Sequence, residues 1–154
     1  MAVTSFADQL RHGYLEVAGS LSDEERAMVA RARDPINAAP FERNRLLAQV
    51  VCAYRAGPKP LWGPVILDLL APTLIVILKG LRPVPPVIDE PEIRQQLVNE
   101  ALQAAATVPL LDGGLQTRFR ITSRAYTRML RWLAREGRRR RLHVTLERNT
   151  RLAP

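Results

Sequence analysis

Residues 117–140 read TRFRITSRAYTRMLRWLAREGRRR. An α-helix turns about 100° per residue, so positions three and four apart share a face. Arg120, Arg124, Arg128, Arg131, Arg135 and Arg138 follow that spacing. On a helical wheel they fall within about 80° of arc. The opposite arc carries Ala125, Tyr126, Met129, Leu130 and Leu133, the expected dry face. The segment therefore reads as a helix with one apolar side and one continuous cationic side. Like charges at these spacings repel by a few tenths of a kcal/mol per pair, so the stripe needs an anion to offset it. Arginine suits phosphate because its planar fork donates two parallel hydrogen bonds. Trp132 lies at the edge of the stripe, where it either stacks on an unpaired base or half-fills the core.

The stripe also holds the charge asymmetry of the chain. Residues 1–115 contain 11 Lys and Arg against 13 Asp and Glu, a net of −2. Residues 116–154 contain 12 Arg against only Glu136 and Glu147, a net of +10. A positive charge so placed points to nucleic acid, an anionic membrane or an acidic protein. The whole chain has 154 residues and is 47% hydrophobic, enough for one core and too apolar for disorder. Aromatics are 5%, so Leu, Ile, Val and Ala must build that core.

Working outward, helical periods dominate and nothing reads as a strand or an internal repeat. A first helix is expected from Ser5 to Ala18, ended by Gly19. Ser22 and Glu25 form a capping box that opens a second helix to about Arg33, stopped by Asp34-Pro35. Pro40 suits the first turn of a third helix running to Ala56, with Cys52 expected as a small buried residue on it. Gly57, Pro58 and Pro60 read as breakers. A fourth helix is expected from near Trp62 to Gly80, kinked at Pro72. Its apolar run, Pro64 to Leu78, is short for a membrane span and reads as a buried core helix. Asp68 within it is either a paired core carboxylate or a wetted position. Residues 82–87, with three prolines, read as a stiff linker. Asp89 and Glu92 cap a fifth helix through about Thr107. A loop with Gly113-Gly114 follows, then the striped helix. Residues 141–154 read as a disordered tail or a last short helix.

The fifth helix pairs a dry face, Ile93, Leu97, Ala101 and Ala104, with a polar, almost uncharged one, Gln95, Gln96, Asn99 and Gln103. Glutamines at helical spacing either hydrogen-bond across a helix–helix interface or form a solvated surface. No catalytic constellation accompanies these faces. His12 and His143 have no second ligand at metal spacing, and Gly113-Gly114 lacks the spacing of a phosphate loop. One cysteine forms no internal disulfide, and no N-terminal stretch has the apolar core of a signal peptide. The expectations are no enzyme, no cofactor, no metal and a cytoplasmic location.

The order of elements resembles region two of bacterial RNA polymerase sigma factors over roughly residues 43–141. Leu46-Leu47-Ala48-Gln49 through Tyr54-Arg55-Ala56-Gly57 and on to Leu69-Leu70-Ala71-Pro72 is similar to the opening helix pair of the family. Gln96-Leu97-Val98-Asn99-Glu100 running to Val108-Pro109-Leu110 resembles its acidic-then-apolar helix. Trp132-Leu133-Ala134-Arg135 to Arg141 resembles the end of its promoter-reading helix. Where the family has an "ARN" stretch, this chain reads Ala125-Tyr126-Thr127. With 13 residues after Arg141, no counterpart of the family's C-terminal helix-turn-helix is expected here.

The resemblance implies an all-α bundle of five to six helices. It divides the chain into an N-terminal helical extension over 1–38, a sigma region 2-like domain over 39–141 and a tail over 142–154. Arg120, Arg124, Arg128, Arg131, Trp132, Arg135, Arg138 and Arg139 would contact DNA. Gln95, Gln96, Asn99, Glu100 and Gln103 would contact core RNA polymerase. The expected partners are DNA and core RNA polymerase, with a second chain to supply a helix-turn-helix and no membrane. The alternatives are a general nucleic-acid-binding helical module and a protein-interaction module with a basic face.

Overall fold

A computed structural model of the chain describes residues 4–34, 36, 38–81 and 86–152. Among these residues there are six α-helices and no strand: α1 (Phe6–Ala18), α2 (Asp23–Arg33), α3 (Pro40–Ala56), α4 (Lys59–Gly80), α5 (Glu90–Thr107) and α6 (Thr117–Leu152). A single 3-10 turn, Asp112–Gly114, joins α5 to α6. The all-α bundle expected from the periodicity is what forms. The linker expected over 82–87 lies, at 82–85, outside the described residues.

Local chemistry starts the helices where the sequence reads. The Ser5 hydroxyl accepts from the Asp8 amide, and the Asp89 carboxylate accepts from the Glu92 amide. Ser22 and Glu25 form the reciprocal capping box, each side chain accepting from the other's backbone. Pro40 occupies the first turn of α3, where a missing N–H costs nothing.

α4 begins three residues earlier than expected. Pro58 is its extended N-cap, and Pro60 sits inside its first turn rather than breaking it. The helix also runs unbroken through Pro64 and Pro72.

α4 is the hub, packing against each of the other five helices. Trp62, Gly63 and every residue from Val65 to Ala71 are buried, with Leu74 and Ile77. By length and composition this helix could cross a membrane, yet 61% of its most apolar window is already covered by its own chain. The most extensive packing in the molecule lays α1 along α4, burying Phe6, Leu10 and Tyr14. Val29 and Ala32 of α2 join the same core. The first two helices, which the resemblance sets apart as an extension, share one core with the rest.

Cys52 is exposed, contrary to expectation. The buried face of α3 is carried by Leu47, Ala48, Val50, Val51 and Tyr54. Cys52 falls about 40° beyond the edge of that arc.

Candidate nucleic-acid interface

Side-chain bonds, most of them between residues far apart in the chain, seat the start of α6 and the end of α5 on the body. At its N-terminus, the Arg118 amide donates to Asn44 Oδ1 on α3 at 3.0 Å, satisfying one of the orphan donors of the first turn. The Thr117 hydroxyl donates to the Gly114 carbonyl at 2.7 Å. Gly114 itself has φ +85°, and a Cβ there would lie 2.6 Å from the Cβ of Ala48. The turn thus lies directly on α3. At the C-terminal end of α5, the Arg55 guanidinium donates to the carbonyl oxygens of Ala105 and Val108. It closes carbonyls that the helix cannot satisfy and places a cation at the negative end of its dipole.

α5 and α6 pack antiparallel, and three polar contacts trace their seam. Arg124 reaches Thr107 at 3.4 Å, Arg128 Nε lies 3.9 Å from Glu100, and Arg140 donates to Glu92 at 3.0 Å. Arg140 also donates to the Val87 carbonyl and to Glu136. Hydrogen bonding to Arg140 holds Glu92 below its ordinary pKa. Glu136 is lowered first by its bond to Arg139 and further by Arg140. The pairing with Glu92 raises Arg140 in turn.

The arginine stripe lies along this seam on the α5 side. Arg124, Arg128, Arg131, Arg135 and Arg138 are exposed, and Arg120 is half-buried. Glu100, Arg128, Arg131, Ala134, Arg135 and Arg138 line a groove of about 350 Å³. Glu100 is the only acid in that lining, and no hydrogen bond reaches its Oε2 atom. Arg139 is exposed too but is paired with Glu136 at 2.9 Å. Trp132 is half-buried and packs against the core.

The dry face of α6 is narrower than the sequence suggests. Ile121, Ala125, Met129 and Leu133 are buried, whereas Tyr126 is 38% and Leu130 44% exposed. Phe119, 68% exposed, lies on the same flank. Phe119, Tyr126 and Leu130 recur at i, i+7 and i+11, a second apolar stripe within about 40° of arc. α6 has a single core side, and the smaller stripe built around Ala125 occupies it. The sequence carries both stripes, but not which one faces inward.

On α5, Gln95, Asn99 and Gln103 are exposed, whereas Gln96 and Glu100 are half-buried. Gln95 donates to Asn99 and Gln96 to Glu100, so the polar face is tied to itself along the helix. Beyond this face, the arginine-rich helix extends. Residues 141–152 continue α6 as helix with every residue exposed, adding Arg141, Arg148 and Arg151 to the cationic surface. Among the described residues, no three His, Cys, Asp or Glu side chains gather as a metal site. No protein-family model, curated protein or solved structure matches this chain.

Proposed function

We propose that this chain is a nucleic-acid-binding factor of the sigma type, acting by binding rather than by catalysis. α6 engages promoter DNA, and the polar face of α5 engages core RNA polymerase. One observation carries the DNA half. Six arginines stand in a row on α6, and among the described residues the only carboxylate set against that row is Glu100, 3.9 Å from Arg128. Such a row is electrostatically unfinished until phosphates neutralise it, and each neutralised phosphate releases counterions. The polymerase half rests on the resemblance together with the exposed Gln95, Asn99 and Gln103 beside the row.

The test is co-purification with core polymerase combined with a gel shift on forked promoter DNA. Reversing Arg124, Arg128 and Arg131 to Glu should abolish the gel shift. In the parent, affinity should fall steeply with salt, by roughly 0.9 log unit per log unit of salt for each phosphate contacted. Gln95→Ala with Asn99→Ala should weaken co-purification and leave the gel shift intact. If neither association survives moderate salt, the sigma reading fails.

A second reading, a general nucleic-acid-binding module without a polymerase partner, is favoured by the exposed arm at 141–152. The arm lengthens the cationic surface well past the part that α5 borders. On this reading Gln95 and Asn99 are without effect, and binding has little sequence preference. A pull-down that resists nuclease would instead favour an acidic protein partner.

A further inference from the structure

On the side of the bundle where α3, α4 and the start of α6 meet, a cleft of about 630 Å³ opens. That is the size of a small-molecule site. Its walls are mostly apolar, with a few polar groups converging from four helices: Arg33, Arg43, Asn44, Asp68, Thr73 and Arg118. The charges among them are unevenly matched. Asp68, 2% exposed, is paired through Oδ2 with Arg11 at 3.0 Å and Arg33 at 3.7 Å. Its other oxygen, Oδ1, is buried without a hydrogen-bond partner.

Arg43 and Arg118 face the same space, and neither forms a salt bridge among the described residues. Among the described residues the Arg118 guanidinium makes one hydrogen bond, a long one of 3.4 Å to the Thr73 hydroxyl. Arg43 Nε is buried with no partner. Burial and the neighbouring charge of Arg43 both push the Arg118 pKa down, the direction expected of a cation lacking its anion. Two like charges drawn into one apolar-walled cleft are costly unless something negative joins them. Beside them, Asp68 Oδ1 still needs a donor.

We propose that this cleft binds a small phosphorylated ligand of nucleotide size, its phosphate held by Arg43 and Arg118 and one of its hydroxyl or amine groups donating to Asp68 Oδ1. The apolar wall receives the uncharged body of the ligand. Inorganic phosphate alone would fill a small part of the volume and leave Asp68 unserved. The cleft uses none of the six arginines of the α6 row, so it stands or falls separately from the nucleic-acid reading.

The experiment is a calorimetric titration of the full chain at fixed ionic strength with AMP, inorganic phosphate and adenosine. AMP should bind most tightly, phosphate more weakly and adenosine weakest. Arg43→Gln and Arg118→Gln should each raise the Kd for AMP by about tenfold or more, as expected for loss of a charge-assisted bond. The triple variant Arg124→Gln, Arg128→Gln, Arg131→Gln should bind AMP as the parent does. If Arg118→Gln fails to fold, Arg43→Gln carries the test, because its side chain makes no hydrogen bond or ion pair among the described residues. An unchanged Kd in Arg43→Gln, loss of binding in the triple variant, AMP binding no tighter than phosphate, or no saturable binding at all would each overturn the proposal.

Discussion

Asp68 and Gly114 are single residues whose roles come from distant neighbours. Asp68 sits in the most apolar helix of the chain, and Arg11 and Arg33 from two other helices neutralise it. Their side chains are 39% and 45% exposed, so without Asp68 they would hydrate. The carboxylate has no such escape. Removing both arginines by Ala substitution should cost about 3 kcal/mol or more, because it strands a buried charge. Asp68→Leu, similar in shape and apolar, should cost less than about 1 kcal/mol. Urea denaturation of the two variants decides the order. At Gly114, alanine meets both a positive φ and the Ala48 side chain at 2.6 Å. Gly114→Ala should lose about 2–4 kcal/mol of stability, measured the same way. Gly113→Ala, with φ +66° but open space around it, should lose less.

At the scale of an element, α6 is anchored at both ends of its contact with α5. Arg140, clasped by Glu92 and Glu136, fixes the far end. Both carboxyls have pKa values lowered in the folded protein. Their stabilisation is therefore present above the unfolded glutamate value, about 4.3, and disappears as pH falls through the lower folded values. Glu92→Gln should make stability less dependent on pH in the acid range, with little change in the slope above pH 6. Denaturation midpoints measured across that range check the sign; a steeper acid limb in the variant would contradict the Arg140 clasp. The element also corrects the wheel. α6 carries two apolar stripes, and packing on α5 selects Ala125, Met129 and Leu133 over Tyr126 and Leu130.

At the scale of the molecule, one core ties α1 through α6 up to Gly137, and the last part of α6 stands clear of it. α6 spans 36 residues, about 54 Å, and residues 141–152 have no buried side chain. A twelve-residue helix is too short to hold itself together alone, so this arm should fray from its free end. Hydrogen exchange should be fastest over 145–152 and slowest in α4. Truncation after Arg141 should leave the thermal midpoint within about a degree of the parent, since no core contact is removed. In the same truncated chain nucleic-acid affinity should weaken and its salt dependence fall, because Arg148 and Arg151 go with the arm.

Much of this architecture is written locally. The caps at Ser5, Ser22 and Asp89, the first-turn proline at 40 and the 3.6-residue period fix the helix starts to within a few residues, since they act over one turn of chain, whereas α6 runs on to Leu152 through the stretch expected as a tail. The arginine row is local in the same sense, because spacing alone puts it on one face. What neighbours decide was not legible: that Cys52 turns outward, that Asn44 caps a helix 74 residues away and that Arg43 and Arg118 share a cleft. Periodicity gives angles around one axis, and burial depends on where the other axes lie. The sequence by itself determined six helices and a cationic stripe. Only the tertiary structure decided which apolar stripe is core and which arginines are left without an acid.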